Sequence, residues 1–184
     1  IENTYGSVVS GNMIEECNGT AIILDRDCYG IALSANVIAH HLEGGVDLRD
    51  AWGCAVSANT FTITHRFGVR VGPDAGRNTI SGNTFCNTWI GGADKRPAEG
   101  KTPMDIDEGT GVLLGATRHV NVSGNSFTGL SGAAVLASGE CGGLLVSGNI
   151  LADCGRKLAK DAPWIEVPSM KVSLVKDNVE DRRE

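Results

Sequence analysis

Four charged residues recur at spacings that could bring acids and bases together on one surface: Asp25, Asp47, Arg49 and Arg70. Three of the chain's four histidines, His40, His41 and His65, lie near the same positions, with Arg66 beside them. Two kinds of chemistry suit such a set. Asp25 and Asp47 could work as an inverting glycosidase pair, one protonating a leaving oxygen and the other activating water. Alternatively Arg70, Arg49 or a histidine such as His65 could act on the proton beside a uronate carboxylate, giving β-elimination. A carboxylate-bound calcium could then acidify that proton. Asp47, Asp25, Arg70, Arg49 and His65 are therefore the candidate catalytic residues, and His40, His41, Arg66 and Trp89 the candidate substrate contacts. A plainer reading stands beside this one: Asp25 under Arg49 and Asp47 under Arg70 are cross-strand ion pairs, and the histidines brace or solvate a surface loop.

What would position these residues is a repeat. Ser-Gly-Asn ends at Asn12, Asn83, Asn125 and Asn149, Ser-Ala-Asn at Asn36 and Asn59, and a degenerate Lys-Asp-Asn at Asn178. The intervals are 24, 23, 24, 42, 24 and 29 residues. A sustained period of 23 to 24 marks a solenoid rather than a globular core. Three positions before the asparagine stand Val9, Leu33, Val56, Ile80, Val122, Val146 and Val175; two after it stand Ile14, Ile38, Phe61, Phe85, Phe127 and Leu151. A second alternating segment carries the pairs Ile22/Leu24, Val46/Leu48, Val69/Val71, Val112/Leu114, Val135/Ala137 and Ile165/Val167. Alternation with period two predicts strands with one buried face, about three per coil.

Residues between those apolar pairs face outward. The first outward rung runs Ile23, Asp47, Arg70, Leu113, Leu136, Glu166, and the second Asp25, Arg49, Gly72, Gly115, Ser138, Pro168. Charge thus concentrates in the first three coils. Each asparagine is expected to take the left-handed conformation that a sharp corner requires. Stacked about 4.8 Å apart, the amides would form a ladder, flanked by an outward ladder of serines. Both ladders need only a structural role. Phe61, Phe85 and Phe127 should form one inward file.

The 42-residue interval predicts a single inserted loop from Trp89 to Gly111 rather than an extra coil. Insertions in repeats tend to map to a binding face. Trp89 could stack on a sugar ring. Asp105, Asp107 and Glu108 could coordinate calcium, but their spacing is not that of an EF-hand and a solvated acidic turn is preferred. No metal ligand is assigned.

By length, residues 1–184 form one domain. A net charge of −6 argues against non-specific nucleic-acid binding. No stretch approaches the ~18 apolar residues of a membrane span. The chain starts without Met and enters the first asparagine phrase at once, which predicts upstream coils of the same polypeptide, or an N-terminal cap, over its first coil. The six cysteines do not occupy matching positions in adjacent coils, so free, mostly buried thiols are expected. Cys-x-x-Cys zinc spacing is absent.

The pattern Val-x-Val-Ser-Gly-Asn-x-Phe, a variable loop, then Gly-Val-x-Leu resembles the coil repeat of the right-handed parallel β-helix superfamily, the pectate-lyase-like fold. The likeness runs from about Ser7 to Asn178. It implies an all-β, right-handed parallel β-helix of about seven coils, with substrate lying along the Gly-Val-x-Leu strands and their preceding loops. It also implies a polysaccharide partner, lyase or hydrolase activity, and a secreted or cell-surface location. The Asn-Thr-Asp, Asp-Asp, Gly-His-Gly and Arg-Ile-Lys motifs of polygalacturonase-like hydrolases are absent, as is the acidic calcium cluster of well-known pectate lyases. A non-catalytic carbohydrate-binding or adhesive solenoid and a purely structural segment are the alternatives.

Overall fold

A computed structural model describes residues 1–87, 108–168 and 172–182. Every alternating segment pairs in parallel with its counterpart one period away. Among the described residues this gives two seven-stranded sheets and one six-stranded sheet, traversed in turn by the coils, and a two-stranded pair of Cys28–Tyr29 with Ala51–Trp52. The first sheet runs from Val8–Ser10 to Leu174–Lys176, the second from Met13–Glu15 to Val179–Asp181, and the third from Thr20–Leu24 to Ile165–Glu166.

Register is set by the inward files. Leu33, Val56, Ile80, Val122 and Val146 are successive partners in the first sheet, each without exposed surface. In the second sheet Phe61, Phe85 and Phe127 stack as expected, with ring centroids 4.6 and 4.7 Å apart and planes within 4° and 10°. That spacing is the strand separation itself, so the rings stack because the backbones do. Their bulk is admitted by the third sheet. A Cβ on Gly45, Gly68 or Gly111 would meet the rings of Phe61, Phe85 and Phe127 at 2.7, 2.5 and 2.6 Å respectively.

The asparagine ladder forms through the whole stack. Each Nδ2 donates to the Oδ1 of the next coil's asparagine at 2.8–3.1 Å, from Asn12 to Asn178. The same Oδ1 atoms also accept from the backbone N–H one coil earlier. The left-handed residue, however, is the one before the asparagine: Gly82 has φ 62°, and Ala35 and Ala58 both have φ 54°. The asparagine must turn its amide inward to run the ladder, so its neighbour makes the turn. This explains the preference for glycine there, since a Cβ in that conformation costs roughly 1–2 kcal/mol.

Asn83 bonds Asn125 directly at 3.0 Å, and strands Thr79–Ser81 and Asn121–Ser123 are partners, so no further coil stands between them. Residues 89–107 of the expected loop, including Trp89, Asp105 and Asp107, lie outside the described residues. Its expected end at Gly111 needs correction. Thr110 and Gly111 belong to the strand Thr110–Gly115, where their N–H groups donate to the carbonyls of Arg66 and Ala133 at 2.9 and 3.0 Å.

None of the six cysteines forms a disulfide; Cys17 is exposed and Cys28, Cys54, Cys141 and Cys154 are buried. Burial pushes the Cys154 thiol up to about 12. Native protein at pH 8 should therefore react with a thiol reagent at Cys17 and not at Cys154, and all six should react once unfolded without reductant. Because the folded Cys154 value lies above the ordinary 9.0, its contribution is complete below pH 9 and lost as pH rises toward 12. Melting temperatures across that range should fall less steeply in Cys154→Ala.

Candidate functional site

The outward face of the third sheet carries the charged rung. Ile23, Asp47, Arg70, Leu113, Leu136 and Glu166 are successive partners, which is the expected order. Asp47 nevertheless has no exposed surface, because two arginines lie over it. Arg70 donates from Nε to Asp47 Oδ1 at 2.8 Å and from Nη2 to Oδ2, while Arg49 Nε donates to Oδ2 at 2.8 Å. Arg49 also reaches Asp25, with Nη1 3.7 Å from Oδ2. The Arg70 guanidinium lies 4.9 Å from the Phe67 ring centre.

One buried carboxylate thus fixes two guanidinium groups whose side chains remain 46% (Arg49) and 40% (Arg70) exposed. The hydrogen bonds it donates to the Asp47 carboxylate push Arg70 above its ordinary pKa, so it stays cationic. Around them lies a groove in two parts. Toward the strand ends is a hollow of about 310 Å³, with Gly72, Gly115 and Ser138 in its lining. Toward the strand starts is one of about 450 Å³, lined in part by Thr20, Glu43, Arg66 and Phe67. Arg49, Arg70 and Leu113 border both. Arg66 pairs with Glu43 at 2.8 Å on this rim.

A family model described as a right handed beta helix region matches residues 1–156. The chain belongs to the right-handed β-helix family. No curated protein and no solved structure matches it.

None of the histidines 40, 41 and 65 of this β-helix lines either hollow of the groove. His41 ends the second-sheet strand Val37–His41 with no exposed surface, its Nε2 3.0 Å from the Ile14 carbonyl. Burial lowers its pKa, which favours the neutral ring. His65 is 2% exposed, and its backbone N–H donates to the His41 carbonyl at 2.9 Å. The cause is local: His40 is left-handed, φ 55°, so the chain turns there and His41 enters the interior. His40 itself pairs with Glu15, Nδ1 to Oε1 at 3.1 Å. Glu15, Glu16 and His40 each bring one ligand atom within 4.8 Å of the others, the arrangement among the described residues that could hold a metal. Of the sequence candidates, then, Asp25, Asp47, Arg49, Arg70 and Arg66 share one face, and His40, His41 and His65 lie at the corner between the second and third sheets. Sequence reasoning passed over Tyr5, Tyr29 and Trp52, although an aromatic–glycine dipeptide recurs at Tyr5-Gly6, Tyr29-Gly30 and Trp52-Gly53.

Proposed function

We propose that this β-helix recognises an acidic polysaccharide at the outer face of the cell or beyond it, with Arg49 and Arg70 holding the sugar's carboxylate or sulfate groups. The observation that carries this reading is the shared carboxylate of Asp47, which holds two half-exposed guanidiniums in place within a groove. Groups so pre-positioned lose little freedom on binding, and guanidinium–anion hydrogen bonds are among the stronger ones. Recognition fits the geometry better than turnover. Both Asp47 oxygens are occupied by guanidinium donors, so Asp47 is a positioning residue rather than half of a hydrolytic pair. Arg70, held cationic, suits an anion better than it suits a proton in elimination.

Calorimetric titration with polygalacturonate, alginate and chondroitin sulfate tests this. Binding to at least one should weaken as salt rises, and Arg49→Gln should weaken it about tenfold or more while Asp47 keeps its Arg70 partner. Absence of salt-sensitive binding to all three polymers would sink the reading. New reducing ends or unsaturated uronate ends on incubation would make the groove catalytic and overturn recognition without turnover.

A further inference from the structure

A file of aromatic side chains runs down the outside of the solenoid beyond the third sheet, and none of its rings lines the groove. Tyr5, Tyr29 and Trp52 are linked by successive parallel bridges, and the file continues through Gly76. Tyr5 and Tyr29 are 59% and 56% exposed. The rings lean across the next coil instead of standing upright. A Cβ on Gly53 would meet the Tyr29 ring at 3.5 Å, and one on Gly76 would meet the Trp52 ring at 2.9 Å. Glycine at position 76 makes room for the Trp52 ring, while the Tyr29 ring rests in ordinary van der Waals contact over Gly53. Tyr5 leans the same way, its hydroxyl donating to Asp27. Asp27 in turn donates its backbone N–H to Asp50 Oδ2 at 2.8 Å, which places two carboxylates along the strip.

We propose that this tiled strip is a second saccharide-binding surface, and that it takes a neutral pyranose chain. Flat rings repeating at about the 4.8 Å coil spacing offer apolar faces to the C–H side of successive sugars. Carboxylate oxygens at the edge accept the hydrogen bonds that sugar hydroxyls supply. Arg77, whose guanidinium lies 5.9 Å from the Trp52 ring centre, sets one positive charge against these two carboxylates, so the strip lacks the cationic excess that would hold uronates or sulfated sugars and favours neutral chains where the groove favours anionic ones. Tyrosine and tryptophan supply this contact area with few rotatable bonds to immobilise. The proposal stands whether or not the groove binds an acidic polymer.

The test is titration of the full chain with cellohexaose, mannohexaose and chitohexaose, followed by calorimetry and tryptophan fluorescence. Saturable binding to at least one is expected, weakened about tenfold by Trp52→Ala and by Tyr29→Ala, and unchanged by the groove variant Arg49→Gln. Circular dichroism checks that the variants fold; should Trp52→Ala fail, Tyr29→Ala decides, since its ring is mostly in solvent. Three results would each overturn the proposal: no saturable binding to any of the three sugars, undiminished binding in the folded aromatic variants, or binding lost in Arg49→Gln instead.

Discussion

Asn83→Ala is expected to destabilise the solenoid by about 4 kcal/mol, enough to unfold a marginally stable chain. The side chain is 1% exposed and engaged on both sides. Its Oδ1 accepts from the backbone N–H and the Nδ2 of Asn59 at 2.9 and 3.1 Å. Its Nδ2 donates to the Val56 carbonyl at 2.9 Å and to Asn125 Oδ1 at 3.0 Å. Alanine would strand the Asn59 N–H, one Asn59 Nδ2 hydrogen and the Val56 carbonyl in a buried column, while Asn125 Oδ1 keeps the backbone N–H of residue 83; each stranded group costs roughly 1–3 kcal/mol in isolation. Asn12→Ala should cost far less, about 1 kcal/mol, because Asn12 is exposed and water can replace what it offers. Chemical denaturation followed by circular dichroism compares the two. Equal losses would mean that the ladder is incidental to stability.

Arg70→Ala should cost about 3 kcal/mol, Asp47→Asn distinctly less, and the double variant should recover part of the first loss. The asymmetry follows from which partner is buried. Without Arg70 the Asp47 carboxylate stays under the surface with only the Arg49 Nε bond to balance its charge. Without the carboxylate, both guanidiniums can turn to water, to which their side chains are already 46% and 40% exposed. Urea denaturation of the three variants closes the double-mutant cycle. Strictly additive losses would show that the two residues are energetically independent, against the geometry.

The interior was legible because strand alternation and a 23–24 residue period leave one register that buries every apolar file; Phe61, Phe85 and Phe127 stack as that register requires. The groove's charged rung was legible for the same reason. Its depth was not. Alternation tells that Asp47 points outward, but not that the longer side chains of Arg49 and Arg70 fold back over it. Corners were harder still. In Ser-Gly-Asn both last residues tolerate left-handed backbone, and only the inward pull of the ladder assigns that conformation to the glycine. The doublet His40-His41 looked like a loop because the turn at His40 leaves no trace in hydrophobic period. The aromatic strip was written in the sequence as a recurring aromatic–glycine pair, overlooked because aromatic residues are few.

The direct bond between Asn83 and Asn125 spans 42 residues where the ordinary step spans 24. Loop-closure entropy grows only with the logarithm of length, each doubling costing about 0.6 kcal/mol, so this less-than-doubled interval costs under about 0.6 kcal/mol more than its neighbours. One amide-to-amide hydrogen bond is of the same order. A coil that keeps its asparagine corner can therefore accept long stretches of new chain between its second-sheet and third-sheet strands almost without thermodynamic penalty. Lineages of such solenoids are free to diversify at the corners while the columns inside stay fixed.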